Sequence, residues 1–291
     1  MKNGRRLAAA LLLILASSCN GLKDHRVAPP PRPVEAIVAH VNANNTRLKG
    51  PFYAPVVSVS ATLYDEDGKR HDFDLRGPLV YQHPRSVWLR LDHALEENQM
   101  QLGSNDAEYW LVIRRDFSTM WWGKYEHVGK PCVRPMPIDP TRAPDALGMI
   151  ELPFGVPAGP LRICDERVDR LLYGRVDPMT GVMADREYAV DRFEPNMIRE
   201  VRYFDRLGQE EMHVWLDDYK PLGDGGPLMA RKVRIEWPLD KGRLRMEIEG
   251  LTVRDDVHPQ AFVRPAEPPE GIRDVVQVDE SCESGTTTDG E

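Results

Sequence analysis

The sequence predicts an α+β protein: a single curved antiparallel sheet of about eleven strands, an open half-barrel, wrapped around one N-terminal helix. Only residues 34–48 show the 3.6-residue periodicity of an amphipathic helix, whereas most later segments alternate apolar and polar residues. The 291 residues also contain 25 prolines, well above the roughly 5% average, and proline interrupts helices. An all-helical fold is therefore excluded.

The predicted helix begins after Pro33 and ends before Gly50-Pro51, a pair that does not continue a helix. Its apolar residues fall on one face, which is expected to pack into the core. These residues are Val34, Ile37, Val38, Val41 and Leu48.

The strands are predicted from alternation. In residues 57–63, valine, alanine and leucine alternate with serine and threonine, which is typical of a half-buried strand. Residues 244–249 alternate strictly, as in an antiparallel sheet with one face in water. The other predicted strands lie near residues 73–75, 79–82, 87–91, 99–102, 108–114, 118–122, 161–165, 170–175, 187–193, 198–204, 211–219 and 230–237.

Residues 131–160 interrupt this pattern with eight prolines. The segment is too long for a hairpin connection, so we expect a covering loop or lid. A short helix over Asp145 to Ile150 is predicted within it.

The N-terminus has the layout of a secretory signal: basic Lys2, Arg5 and Arg6, then an apolar stretch over 7–15, then small residues. The run Leu15-Ala16-Ser17-Ser18-Cys19 resembles a bacterial lipobox, which implies cleavage before Cys19 and lipid attachment to it. Ordinary signal cleavage beside a chance cysteine is the alternative. The chain then divides into a signal peptide (1–18), a Pro-rich tether (19–33), a folded domain (34–263) and an acidic disordered tail (264–291).

Charge restricts the partners. Loss of the signal, with its three positive charges, takes the formal net charge from −8 to about −11. Such an acidic chain is not expected to bind nucleic acid, or a membrane through a basic patch. The predicted membrane attachment is the lipid on Cys19 alone.

Three cysteines follow Cys19: Cys132, Cys164 and Cys282. An oxidising envelope allows a Cys132–Cys164 disulfide, and two unpaired buried thiols are the alternative. Their spacing matches no CxxC metal site. No metal ligands are predicted.

The order and spacing of the elements resemble the LolA/LolB lipoprotein carrier and receptor superfamily. The resemblance is carried by Gly77–Leu91, a strand-turn-strand pattern, by Gly103–Val112, a turn and a strand bearing Trp110, and by Tyr203–Gly208. The chain departs from the carriers at His83, where they commonly have arginine, and in its long 131–160 insert. An anchor on Cys19 would place it nearer to the receptor branch.

The resemblance implies an apolar groove that shelters acyl chains of lipids or lipidated proteins. Alternation places five of the predicted groove residues on one face, and a match to family positions adds the last two. The seven are Leu79, Tyr81, Val87, Leu89, Leu91, Trp110 and Val112. The alternative is that they pack against the helix as ordinary core.

The function predicted is that of a monomeric, lipid-anchored, periplasm-facing envelope lipoprotein that binds lipid or lipidated protein, in lipoprotein sorting. The outer membrane is favoured because Asn20, not aspartate, follows Cys19. The first alternative is a structural or sensing lipoprotein with a filled cavity. The second is an envelope hydrolase, which needs a cluster of His and Asp or Glu in a cleft. We expect no enzyme, catalytic residue or cofactor, since HExxH and GxSxG motifs are absent from the sequence.

Overall fold

The computed structural model describes residues 27–155, 159–177 and 181–283. The predicted signal peptide, Cys19 and most of the predicted tether lie outside the described residues. Within the described part of the chain, no helix has the length and hydrophobicity needed to cross a bilayer.

The first half of the chain forms six consecutive antiparallel strands joined mostly by tight turns. In β3, and over much of β1 and β2, burial alternates as the sequence does, whereas β5 is buried on both faces. They are β1 (Pro51–Tyr64), β2 (Arg70–Gln82), β3 (Ser86–His93), β4 (Glu96–Ser104), β5 (Glu108–Ile113) and β6 (Thr119–Lys124).

The second half adds eleven strands, nine of them in the same sheet. They are β7 (Leu161–Cys164), β8 (Val168–Asp177), β9 (Gly181–Asp191), β10 (Ile198–Phe204), β11 (Glu210–Asp217), β12 (Lys220–Pro221), β13 (Leu228–Met229), β14 (Lys232–Trp237), β15 (Gly242–Glu249), β16 (Thr252–Val253) and β17 (Asp274–Gln277). Strands β12 and β13 form a separate two-stranded sheet.

The main sheet is open, with β17 and β7 at its two edges. The order across it is β17-β6-β5-β4-β3-β2-β1-β15-β14-β11-β10-β9-β8-β7, with β16 paired to β1. The expected number of about eleven strands is wrong, because fifteen strands join this sheet. All its pairings are antiparallel except that of β17 with β6, which is parallel. The α+β class is confirmed, but the sheet is mixed.

The predicted N-terminal helix is α1 (Val34–Asn45). It ends at Asn45, earlier than expected, because its last turn carries three asparagines that bond to loops. Asn42 exchanges two hydrogen bonds with the backbone of Leu152, at 2.7 and 2.9 Å. Ile37, Val38, Val41 and Leu48 are buried, so the predicted apolar face does pack into the core.

The Pro-rich insert contains a 3₁₀ turn (Pro140–Arg142) followed by the one-turn helix α2 (Ala143–Ala146). The predicted helix over 145–150 is therefore shifted toward the N-terminus. It ends before Gly148, whose positive φ of 68° does not continue an α-helix. We call residues 138–147 the cap. Its apolar side chains, among them Ile138 and Leu147, belong to the main core.

The expectation of a disordered tail over 264–291 is wrong for residues 264–283, which we call the strap. The strap contributes β17 and the one-turn helix α3 (Glu280–Glu283), so the folded domain extends beyond residue 263. Residues 284–291 lie outside the described part. The strap has few apolar residues of its own, which explains why composition predicts disorder there. Its order depends on partners far away in sequence.

Candidate functional site

An apolar cavity lies on the face of the sheet that packs against α1, and we call it the inner cavity. Its volume is about 70 Å³, and sixteen of its eighteen lining residues are apolar. The lining residues are Leu79, Val87, Leu89, Leu91, Met100, Leu102, Met212, Val233, Ile235, Trp237, Leu244 and Met246 from the sheet, with Ile138, Asp139, Arg142, Ala143, Ala146 and Leu147 from the cap.

Four of the seven predicted groove residues line the inner cavity: Leu79, Val87, Leu89 and Leu91. Strand pairing brings them together, since Leu89 lies opposite both Leu79 and Leu102. In antiparallel pairs, directly opposite residues share a face of the sheet. The alternation in the sequence therefore identified this face correctly.

Tyr81 is also buried, but it does not line the cavity. Its ring stacks on Phe52 with centroids 6.2 Å apart, and its hydroxyl donates a 2.9 Å hydrogen bond to the carbonyl of Pro84. Burial raises the pKa of Tyr81 above its ordinary value. In this structure its role is that of a core residue.

Trp110 and Val112 do not line the inner cavity but lie on the opposite face, in a second apolar cluster with Met120. We call these three residues the outer cluster. The room for the indole comes from Gly103 on β4, where a Cβ would lie 2.2 Å from the Trp110 ring. Trp110 and Val112 were assigned to the groove from a match to family positions, and this prediction was wrong. Strand pairing places both on the outer face, where Ile272 of the strap packs against the cluster.

Sequence reasoning did not assign the cavity residues contributed by β11, β14 and β15. These are Met212, Val233, Ile235, Trp237, Leu244 and Met246. Their sequence pattern did indicate a buried face, since buried and exposed positions alternate along β14 and β15 as regularly as along β3. What the sequence lacked was the information that β15 pairs with β1, across nearly 200 residues of chain.

The cap is fixed to the sheet through one buried carboxyl group. Asp145 accepts a 3.0 Å hydrogen bond from the hydroxyl of Tyr188 and another from that of Tyr203. Burial raises the pKa of Asp145 above its ordinary value of 3.8, and this outweighs the nearby Arg186. Closure of the cap therefore favours the protonated form of this group.

The inner cavity meets a second, more polar depression of about 500 Å³, which we call the polar cleft. Asp139, Arg142 and Trp237 line both. Asp139 and Arg142 form an ion pair at 3.6 Å, and the Arg142 guanidinium lies 3.9 Å from the centroid of the Tyr203 ring. The boundary between the two depressions is thus charged on the cleft side and apolar on the cavity side.

The expected disulfide Cys132–Cys164 is wrong, because Cys132 is bonded to Cys282 instead. The strap returns to β6 and places Cys282 beside the start of the insert, with a Cα–Cα distance of 5.3 Å to Cys132. Cys164 is a free, exposed thiol on the edge strand β7. The sequence could not identify this disulfide, because Cys282 lies in the strap, a segment that was expected to be disordered.

Histidine lines neither depression in the described part of the chain. His71 and His127 instead make hydrogen bonds with Asp65 (2.8 Å) and Asp279 (2.7 Å) in turns and under the strap. Among residues 27–155, 159–177 and 181–283, no group of three His, Cys, Asp or Glu side chains is placed to hold a metal ion.

No protein-family model and no curated protein sequence matches the chain. Solved structures with similarity include a LolA superfamily protein from Nitrosomonas europaea, with 9% identity over 80% of this chain and 99% of that one and a TM-score of 0.48. A DUF1329 family protein from Desulfovibrio piger shows 10% identity over 80% and 98%, with a TM-score of 0.48. A domain named for outer membrane lipoprotein sorting, from Vibrio parahaemolyticus, shows 12% identity over 78% and 96%, again at 0.48.

With TM-scores below 0.5 and identities near 10%, these are likenesses of fold alone. The LolA superfamily, which the sequence resembles, is among the folds to which the structure is similar.

Proposed function

We propose that this chain is a binding protein without chemistry of its own, which takes an acyl chain of a lipid or a lipidated protein into the inner cavity when the cap moves. The observation that supports this is the lining, sixteen apolar residues out of eighteen, on the face closed by the cap. Apolar burial is the main driving force that such a surface offers.

The energies are compatible with exchange of the cap for a ligand. An acyl chain that buries fourteen CH₂ groups gains on the order of 10 kcal/mol, at about 0.8 kcal/mol each. Displacing the cap exposes Ile138 and Leu147, at about 1.5–3 kcal/mol each, and breaks the two bonds to Asp145, at about 1 kcal/mol each. It also removes the contacts of Arg142 with Glu211 and Tyr203, at about 0.5–1 kcal/mol each. The gain and the loss are of the same order, so a bound acyl chain can replace the closed cap.

A second function is favoured by the cavity volume. Ligand pockets usually measure about 300–1,000 Å³, whereas the inner cavity measures about 70 Å³ with the cap closed. A structural or sensing protein whose own cap fills the groove would show the same volume. The two functions differ in whether the cap can be displaced.

The deciding experiment is lipid extraction and native mass spectrometry of the purified full chain, with palmitate added to the delipidated protein. Val233→Phe, which fills the cavity from the sheet and does not move with the cap, is expected to reduce uptake at least tenfold. Ala39→Phe, on the exposed side of α1, should leave it unchanged. A purified protein that contains no lipid and takes up no palmitate would contradict acyl binding. It would support the structural or sensing function, in which the cap fills the groove.

Attachment to the envelope is part of the proposal: lipid on Cys19 holds the domain at the periplasmic side of a membrane, with the outer membrane favoured. The support is the lipobox-like run that ends at Cys19 and the acidity of the remaining chain. Cys19→Ser is expected to move the protein from the membrane fraction to the soluble periplasmic fraction. Retention of the variant in the membrane fraction would contradict lipid anchoring.

A further inference from the structure

We propose that the polar cleft binds the phosphodiester headgroup of a glycerophospholipid whose acyl chain occupies the inner cavity. This inference rests on the proposed function and narrows its ligand from any acylated molecule to a phospholipid. It begins from the two charged residues in the lining of the inner cavity, Asp139 and Arg142, which also line the cleft. An amphiphile with its tail in the cavity therefore has its polar end directed into the cleft.

The cleft has the size of a headgroup site. Its volume of about 500 Å³ falls in the range of small-molecule pockets, roughly 300–1,000 Å³. Its walls are the loop over 128–136, residues 139–142 of the cap, single residues of β5 and β14, residues of β8 to β11, and the turns at 205–206 and 240. It is open to solvent on one side, as a headgroup that enters from a membrane requires.

Most acidic side chains of the cleft already have partners. Asp139 and Glu211 both pair with Arg142, at 3.6 and 3.7 Å. Asp205 accepts hydrogen bonds from two backbone N–H groups of its own turn, both at 2.8 Å. Asp185 pairs with Arg186 at 2.9 Å. Asp240 is the remaining acid, at an exposed position.

Several cations of the cleft, by contrast, have unused donors. Among the described residues, no carboxylate lies within 4.0 Å of Lys130 or Arg206. Arg175 has only a loose ion pair, 3.8 Å from Asp185, and its Nη2 is buried with no hydrogen-bond partner in the described part. A buried guanidinium N–H without an acceptor costs about 1–3 kcal/mol, and an anionic oxygen would remove that cost.

This donor set matches a phosphodiester better than a lipidated protein. Arginine forms strong charge-assisted hydrogen bonds with phosphate oxygens. The glyceryl-cysteine end of a lipidated protein offers ester, thioether and amide groups, none of them anionic. The cleft therefore favours a phospholipid over a lipidated protein with the same acyl chains.

The test compares two amphiphiles with the same tail, palmitoyl-lysophosphatidylglycerol and monopalmitoylglycerol, each bound below its micelle concentration to the delipidated full chain. The ratio of their dissociation constants, measured by isothermal titration calorimetry, is the readout. We expect at least a tenfold preference for the phospholipid. Arg175→Gln and Arg206→Gln should each reduce that ratio at least threefold.

Arg76→Gln is the matched control, since it removes one positive charge from an exposed site on β2 outside the cleft. The ratio should be unchanged in this variant. Equal binding of the two amphiphiles, or a ratio unaffected by both cleft substitutions, would overturn the headgroup site while the acyl-binding function stands. Binding of neither amphiphile would overturn the proposed function itself. If inorganic phosphate alone binds as tightly as the lysophospholipid, the cleft is a free-phosphate site and the inference is wrong.

Discussion

Two apolar surfaces of the sheet are closed by irregular segments, the inner cavity by the cap and the outer cluster by the strap, but the two closures differ in kind. The strap is held by the Cys132–Cys282 disulfide, by the parallel pairing of β17 with β6, and by the buried His127–Asp279 hydrogen bond. The cap is held by apolar packing, by the bonds of Asp145 to two tyrosines, and by Arg142, which pairs with Glu211 and lies over the Tyr203 ring.

The difference separates a permanent cover from a removable one. A covalent bond and a strand pairing together make the strap part of the fold, because both must be lost before the outer cluster meets water. The packing, the two hydrogen bonds and the contacts of Arg142 together cost about as much to break as a bound acyl chain gains, so a ligand can replace them. The residues 148–152 that follow the cap are tied to α1 by asparagine side chains, so cap movement would be confined to the segment before them.

The largest effect is expected from breaking the strap. The disulfide closes a loop of 150 residues, and replacing Cys132 and Cys282 together by serine should lower the free energy of unfolding by about 2–5 kcal/mol. Urea unfolding of the oxidised protein measures this. Cys164→Ser is the matched control, since that thiol is free and exposed, and it should change stability by less than about 0.5 kcal/mol. A double variant as stable as the control would contradict the role given to the strap.

An effect of about the same size is expected at the surface below the strap. Trp110→Ala should lower the free energy of unfolding by about 3–5 kcal/mol, because the indole is fully buried in the outer cluster. Palmitate affinity should stay the same, because Trp110 does not line the inner cavity. Trp88→Ala, at a half-buried position on β3, is the control and should destabilise less. A loss of palmitate binding in Trp110→Ala without a loss of stability would instead indicate that this residue lines the inner cavity.

The same contrast explains what sequence could predict. Leu79, Val87, Leu89 and Leu91 were placed correctly because buried and half-buried positions alternate along β3, and β3 pairs with β2. Trp110 was assigned from family positions instead, and burial of both faces over 109–113 leaves no alternation there that could correct the assignment.

Long-range pairing accounts for the other failures. The strap has too few apolar residues for its sequence to predict an ordered structure. Its position depends on β6 and on Cys132, about 150 residues away. A covering loop or lid was expected because the Pro-rich segment over 131–160 is too long for a hairpin connection. Its attachment through Asp145 required Tyr188 and Tyr203 to come together across two strands, which no local pattern shows.

The smallest effect, at the cap, is a pH dependence centred on Asp145. Its pKa is raised by burial when the cap is closed, so below pH 3.8 the group is protonated in both the folded and the unfolded chain and the stabilisation is complete. As pH rises through the raised pKa, this stabilisation is lost, by about 1.4 kcal/mol for each unit of the shift. Asp145→Asn cannot ionise, so the free energy of unfolding of the wild type minus that of the variant should fall as pH rises above 3.8, measured by urea titration. Tyr203→Phe, which keeps the carboxyl group but removes one donor to it, should retain the pH dependence. A pH-independent difference between wild type and Asp145→Asn would mean that burial of Asp145 does not couple its protonation to folding.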